Sequence, residues 1–368
     1  MDKHALRQRI LLVSAVIVLA TVIVMIYAAG ITINAAPKIG LIITGETTDS
    51  GWNGAHYTGV VSACKKLNTK LVVKENVEEG SGQCAEAIHE LVKEGAKMII
   101  LSSYSYPTET KDVIESYPDI AFYGISSEYV SDNLTSYFGR MYQARYLAGI
   151  IAGMKTETDS IGYVAAMPNS EVNRGINAFT LGVKSVNPDA TVYVKWTDSW
   201  NDSEKETAAV AKLISAKSAD VITYHQNQHS VVQAADEAGV YSIGYNQVAD
   251  GFSDKYLTAA VWDWDSLYFQ IIREFVQGQP NTVKQRWFAI DSGVVELSEF
   301  SPIVSDEIRQ AVDSARDRLC GMSDVFSGII YDNNGELRCG EGETLSDDTL
   351  LKNMDWFVDG VVIYNEEG

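Results

Sequence analysis

The sequence predicts an α/β protein of two doubly wound, parallel-sheet lobes joined by a multi-strand hinge. Three observations carry this. Strand-length apolar runs alternate with helix-length segments, the alternation starts twice along the chain, and late segments return to the half they left. With 368 residues, 46% of them hydrophobic and 21% charged, the chain has enough apolar material for two cores.

Lys3, Arg7 and Arg9 precede an uncharged run over 10–29 that is long enough to cross a bilayer as a helix. The positive flank stays in the cytoplasm, which places the rest outside the cell membrane, anchored by this helix or released after cleavage. Ala28-Ala29-Gly30 resembles a cleavage site, so a removed signal and a retained anchor both stay open. With no Cys near the end of the run, a lipoprotein-type attachment is excluded there.

The first series reads as strand 38–44, helix 54–67, strand 70–77, helix 83–94, strand 97–102, helix 108–116 and strands 121–125 and 134–139. The second begins with helix 145–154 and continues with strands 160–165, 191–196, 220–224 and 241–245, separated by helices 172–186, 205–216 and 230–238. After a strand at 257–262, helix 266–278 returns to the first lobe and the remainder closes the second. The expected division is 1–36 as signal or anchor, 37–138 with 264–290 as the first lobe, and 139–263 with 291–368 as the second. Several crossings make a hinge that favours clamshell motion.

The net charge of −20 and pI of 4.6 argue against nucleic acid, because phosphate binding needs a basic surface. Cys64, Cys84, Cys320 and Cys339 fall in the exported part, where disulfides persist. Sequence neighbours make the simplest pairs, Cys64 with Cys84 and Cys320 with Cys339, although spacing does not fix the pairing.

Signatures of chemistry are mostly missing. The sequence has no G-x-S-x-G elbow, no Walker loop and no H-E-x-x-H. Gly80-Ser81-Gly82-Gln83-Cys84-Ala85 fits G-x-G-x-x-A, but it follows the second strand and lacks a later ribose-binding acid, so it reads as an ordinary helix start. His225 and His229 stand four apart, yet one closes a strand and the other precedes a helix, so no shared helical face offers a metal pair. Tyr331–Arg338 carries the Asn-Gly of a tight hairpin, and its likeness to a calcium loop lacks the ligand spacing and closing Glu. No catalytic residue, metal or cofactor is expected.

What the pattern does offer is a ligand cleft, since ligands bind beyond the carboxyl ends of strands in such sheets. Trp196 and Trp200 end the run TVYVKWTDSWN in a turn rich in polar residues, a wetter place than core Trp keeps, though two Trp after a strand also cap cores. Ser50, Trp52 and Asn53 follow the first strand, with Gly51 permitting a sharp turn, and Tyr104 follows the third. Glu171, Asn173, His225, Gln226 and Asn246 occupy corresponding ends in the second lobe. Asp263 is the acid expected against an exocyclic amine or ring N–H, with a helix N-cap or a hinge ion pair as its plainer role. Trp52 from one lobe and Trp196 or Trp200 from the other are placed to sandwich a planar group. Two stacking faces at about 1–3 kcal/mol each, with a few hydrogen bonds, support binding near micromolar, about −8 kcal/mol.

At these residues the chain resembles the basic membrane protein family, type I periplasmic-binding-protein-like receptors that include purine nucleoside receptor lipoproteins. The likeness runs from about Lys38 onward through DSGWNGAH, TSYFGRMYQARYLAGIIAG, MPNSEVNRGINAFTLGVKSVNPDA, VKWTDSWNDSEKE, FSGIIYDNNG and MDWFVDGV. It implies a solute receptor of an ABC importer without catalytic activity, gripping a purine base or nucleoside between aromatics and handing it to a permease with its ATPase. The nucleoside receptors carry Asp-x-x-Phe-Asn-Gln in the first loop, where this chain has Trp52-Asn53-Gly54. The Trp-x-x-x-Trp turn looks like the branch associated with adenine, which favours free base. The alternatives are a sugar or other small-solute receptor and a sensory ectodomain that signals through its membrane helix.

Overall fold

The computed structural model describes residue 14 and residues 36–49, 51–279, 282–321 and 324–365. Ser50 and, apart from Ser14, the apolar run over 10–29 lie outside the described residues. Among the described residues no helix is long and apolar enough to cross a membrane.

The first half runs β1 (Lys38–Ile42), α1 (Trp52–Lys66), β2 (Lys70–Lys74), α2 (Gln83–Lys93), β3 (Ala96–Leu101), α3 (Tyr106–Glu109), α4 (Lys111–Glu115), β4 (Ala121–Ile125) and β5 (Leu134–Gly139). These strands are apolar at successive positions because both sheet faces are covered. Ile39, Leu41, Met98 and Ile100 join the core on one face, and Ile42, Ile99 and Leu101 the core on the other. Gly82, with φ of 85°, is the N-cap of α2, so the glycine-rich match is a helix start. The helix expected over 108–116 is instead two short ones, broken at Thr110, whose φ is −111° and whose hydroxyl donates to Tyr106 O at 2.6 Å.

The second half runs α5 (Met141–Lys155), β6 (Ser160–Ala165), α6 (Ser170–Val186), β7 (Thr191–Trp196), α7 (Ser203–Lys217), β8 (Val221–His225), α8 (Ser230–Glu237), β9 (Tyr241–Asn246) and β10 (Tyr256–Trp262). Then come α9 (Trp264–Val276), β11 (Gln285–Phe288), β12 (Val295–Leu297), α10 (Asp306–Leu319), the short strands β13 (Ile330–Tyr331) and β14 (Leu337–Cys339), α11 (Asp347–Lys352) and β15 (Val361–Ile363).

Two sheets result. One has the order β11-β5-β4-β3-β1-β2 and the other β12-β10-β9-β8-β6-β7-β15. The chain therefore leaves the first sheet after β5, returns after β10 and leaves again after β11. On its return α9 lies against α1 so closely that a Cβ on Gly59 would stand 2.8 Å from Trp264 Cβ. In the second half α5 and α6 meet backbone to backbone, because a Cβ on Gly149 would reach Phe179 O at 2.0 Å. The Asn-Gly hairpin forms between β13 and β14, with Gly335 at φ 83° and Arg338 paired to buried Asp332 at 2.7 Å.

The expected disulfides are corrected by this architecture, because all four cysteines are free thiols. Cys64 on α1 packs in the core of one sheet face and Cys84 on α2 in the core of the other, so the sheet separates them. Cys320 is exposed at the C-cap of α10, whereas Cys339 is buried with its thiol 3.8 Å from Phe326 O.

Candidate functional site

The carboxyl ends of strands from both sheets face one cleft of about 820 Å³. Thr44, Ser102 and Ile125 reach it from β1, β3 and β4, while His225 and Asn246 reach it from β8 and β9. Trp52 and Trp200 line it from opposite halves.

Trp52 opens α1 just past Gly51, and its ring is fixed from several sides. Its indole N–H donates to Ser102 O at 2.9 Å, His56 lies 4.3 Å behind it and Trp264 meets it edge-on at 5.4 Å. Its neighbour Asn53 accepts from Thr44 N at 3.1 Å and Thr44 Oγ1 at 3.0 Å, and donates to Asp49 at 2.7 Å. Asp49 also accepts from the N–H groups of Gly51 and Gly54, so this loop is held by its own side chains.

Trp200 is carried by the turn after β7, which Asn227 N–H secures by donating to Trp200 O at 3.0 Å. It meets His225 edge-on with ring centroids 5.9 Å apart. His225 stays neutral because burial first, then the positive charges of Arg145 and Arg174, hold its pKa well below the ordinary value. Arg145 is fully buried; it donates to Tyr224 O at 2.7 Å and its guanidinium lies 4.0 Å from the centre of the Tyr245 ring. Glu171 opens α6 beside these groups. Burial raises its carboxyl pKa, and the guanidiniums of Arg174 and Arg145 act in the opposite sense.

The expected ligand residues therefore divide. Trp52, Asn53, Tyr104, Glu171, Trp200, His225 and Asn246 share the cleft. Tyr104 stands at its rim, 55% exposed, with its hydroxyl donating to Glu128 at 2.9 Å. Trp196 packs instead toward Phe357, 6.3 Å away, off the cleft lining. Asn173 and Gln226 are buried behind it, donating to Met354 O at 2.9 Å and Thr197 Oγ1 at 2.7 Å. Asp263 caps α9, accepting from Ser266 N at 2.9 Å and Ser266 Oγ at 2.6 Å, and lines a separate cavity of about 500 Å³ with Trp262 and Trp264. Ser50 lies outside the described residues.

Sequence reasoning missed Glu79, Glu128, Arg174, Tyr245 and Trp287, all on the cleft lining. Tyr245 had a usable signal, standing one residue before Asn246 at a strand end. Trp287 sits on the returning β11, with Arg140 and Arg174 guanidiniums 4.3 Å and 5.0 Å from its ring, a position set by the chain crossing alone.

Two α/β lobes whose strand ends converge on one cleft give the type I periplasmic-binding-protein-like fold, shared by solved ABC-transporter solute-binding proteins. Residues 36–324 match the family described as ABC transporter substrate-binding protein, PnrA-like, and the chain belongs to that family. Its members are extracytoplasmic solute-binding proteins of ABC transporters rather than enzymes. The chain is 31% identical over 328 residues to a purine-binding protein of Brucella abortus, covering 88% of this chain and 92% of the other. It is 33% identical over 335 residues to Haloferax volcanii TsgA13, provisionally named an ABC transporter glucose-binding protein, covering 90% and 81%. Among solved structures, a transcriptional activator of the comK gene from Bacillus halodurans superposes with a TM-score of 0.68 at 25% identity, covering 77% of this chain and 98% of that one.

Proposed function

We propose that this receptor binds a purine, adenine first, between Trp52 and Trp200, and delivers it to an ABC permease and its ATPase. The observation that carries the reading is that Trp52 and Trp200, indoles from opposite halves, line the same cleft. Each face offers about 1–3 kcal/mol of stacking to a flat ring and little to a molecule without one. The Brucella abortus purine-binding relative supports the same ligand class. Residues 37–138 with 264–290 and 139–263 with 291–368 act as the two closing lobes, and 10–29 either holds the chain at the outer face of the membrane or is removed as a signal. The chain binds its ligand without transforming it.

A sugar is the second reading, favoured by the name of the Haloferax volcanii relative and by hydroxyl and carboxylate groups on the cleft, including Ser103, Ser126, Glu79 and Glu128. Calorimetry on the full chain in mild detergent with adenine, guanine, adenosine, guanosine, ribose and glucose separates the two. Adenine should bind most tightly, and a glucose complex with no purine binding refutes the purine reading.

A further inference from the structure

The geometry points to Glu171 as the residue that selects a purine bearing an exocyclic amine. This rests on the purine reading above and adds which edge of the base is read.

Glu171 stands in the first turn of α6 and lines the same cleft as Trp52, Trp200, His225 and Asn246. Among the described residues its carboxylate accepts no hydrogen bond. Arg174, one turn along, sends its guanidinium to Leu350 O at 2.5 Å. The N-terminal N–H groups of the helix are partly served by Asn169, which accepts from Val172 N at 3.0 Å. The side chain is only partly buried and stays in reach of solvent in the open cleft, so an occupant that covers it is favoured when it supplies N–H groups in place of that solvent. An ionised carboxylate only accepts, and it repels a carbonyl oxygen brought to the same place. The other unpartnered groups agree with a polar-edged ligand: Asn246 Oδ1, buried and at a φ of 70°, is a second acceptor without a donor on the same lining. Asp263, the acid the sequence offered for this role, is occupied by Ser266 and lines the other cavity.

A merely structural role for Glu171 is a favourable charge at the helix N-terminus, which affects stability and treats all ligands alike. The ratio of two ligands therefore separates the roles. Adenine and unsubstituted purine share the ring system and differ in the amine. Titration of both into the full-length chain by calorimetry should show adenine tighter by about 10-fold or more, the effect of a hydrogen bond to a charged group. In Glu171→Ala the ratio should fall to about one, while Glu171→Gln, which keeps the volume and one acceptor, should retain part of it. An unchanged ratio in Glu171→Ala, or a wild-type chain that holds both bases equally, overturns the inference while leaving the purine reading intact. A wild-type chain that takes neither base overturns this inference, and it removes the purine reading as well when guanine, adenosine and guanosine also fail to bind.

Discussion

His56 lies directly behind Trp52 and converts acid into a measurable loss of stability. It is fully buried, its Nδ1 hydrogen-bonded to the Tyr268 hydroxyl, and burial pushes its pKa down to about 3. In the unfolded chain the same imidazole titrates near its ordinary value of about 6.5. Between these values the unfolded state holds a proton that the folded state refuses, so stability is full above about pH 6.5 and falls as the pH drops toward 3. Each pH unit in that window costs about 1.4 kcal/mol, which amounts to about 2 kcal/mol at pH 5 and about 5 kcal/mol across the whole window. His225 adds a loss of the same sign, so the His56 share is read by difference. Urea unfolding of the full chain and of His56→Gln, each at pH 7.5 and pH 5, gives that difference. The variant should lose about 2 kcal/mol less than the wild type over the interval. Parallel losses in the two proteins would refute the claim that His56 is held neutral beneath Trp52.

Two further expectations follow from the packing. Gly149→Ala should destabilise the chain by about 3 kcal/mol, because the added methyl meets the Phe179 carbonyl and must drive α5 from α6; a melting temperature within a degree of wild type would contradict that contact. Under native conditions Cys320 should react with a maleimide in minutes, whereas Cys64, Cys84 and Cys339 should react only on unfolding, with mass spectrometry counting the adducts. A folded chain that offers no thiol, or whose mobility shifts on reduction, would restore the disulfides.

Much of the fold is legible in the sequence because parallel strands buried on both faces read as unbroken apolar runs. Residues 39–43 and 98–101 announce β1 and β3 this way, and 161–165 does the same for β6. The break at Thr110 is not legible, since it depends on a side-chain bond to Tyr106 that no periodicity encodes. The site divides along the same line. Trp52, His225 and Asn246 follow from strand ends, a local property. Trp196 and Trp200 look equivalent in sequence, yet Trp196 is still in β7 and faces the tail at Phe357, while Trp200 is in the turn that reaches the cleft. Asp263 was drawn to its N-cap by Ser266, three residues on, which a local reading did anticipate as the plainer role. Cys64 and Cys84 are close in sequence but on opposite sides of a sheet, and only the topology shows the barrier between them. Glu79, Glu128, Arg174 and Trp287 reach the cleft through chain crossings and loop paths that leave no mark on their own segments.

Clasping of one flat heterocycle by indoles from both halves is tested most directly by a crystal structure of the chain grown with adenine. The base should lie between the rings of Trp52 and Trp200 at stacking distance, with its amine toward Glu171. A base seated beside Asp263 in the smaller cavity, or one touching neither indole, would contradict it.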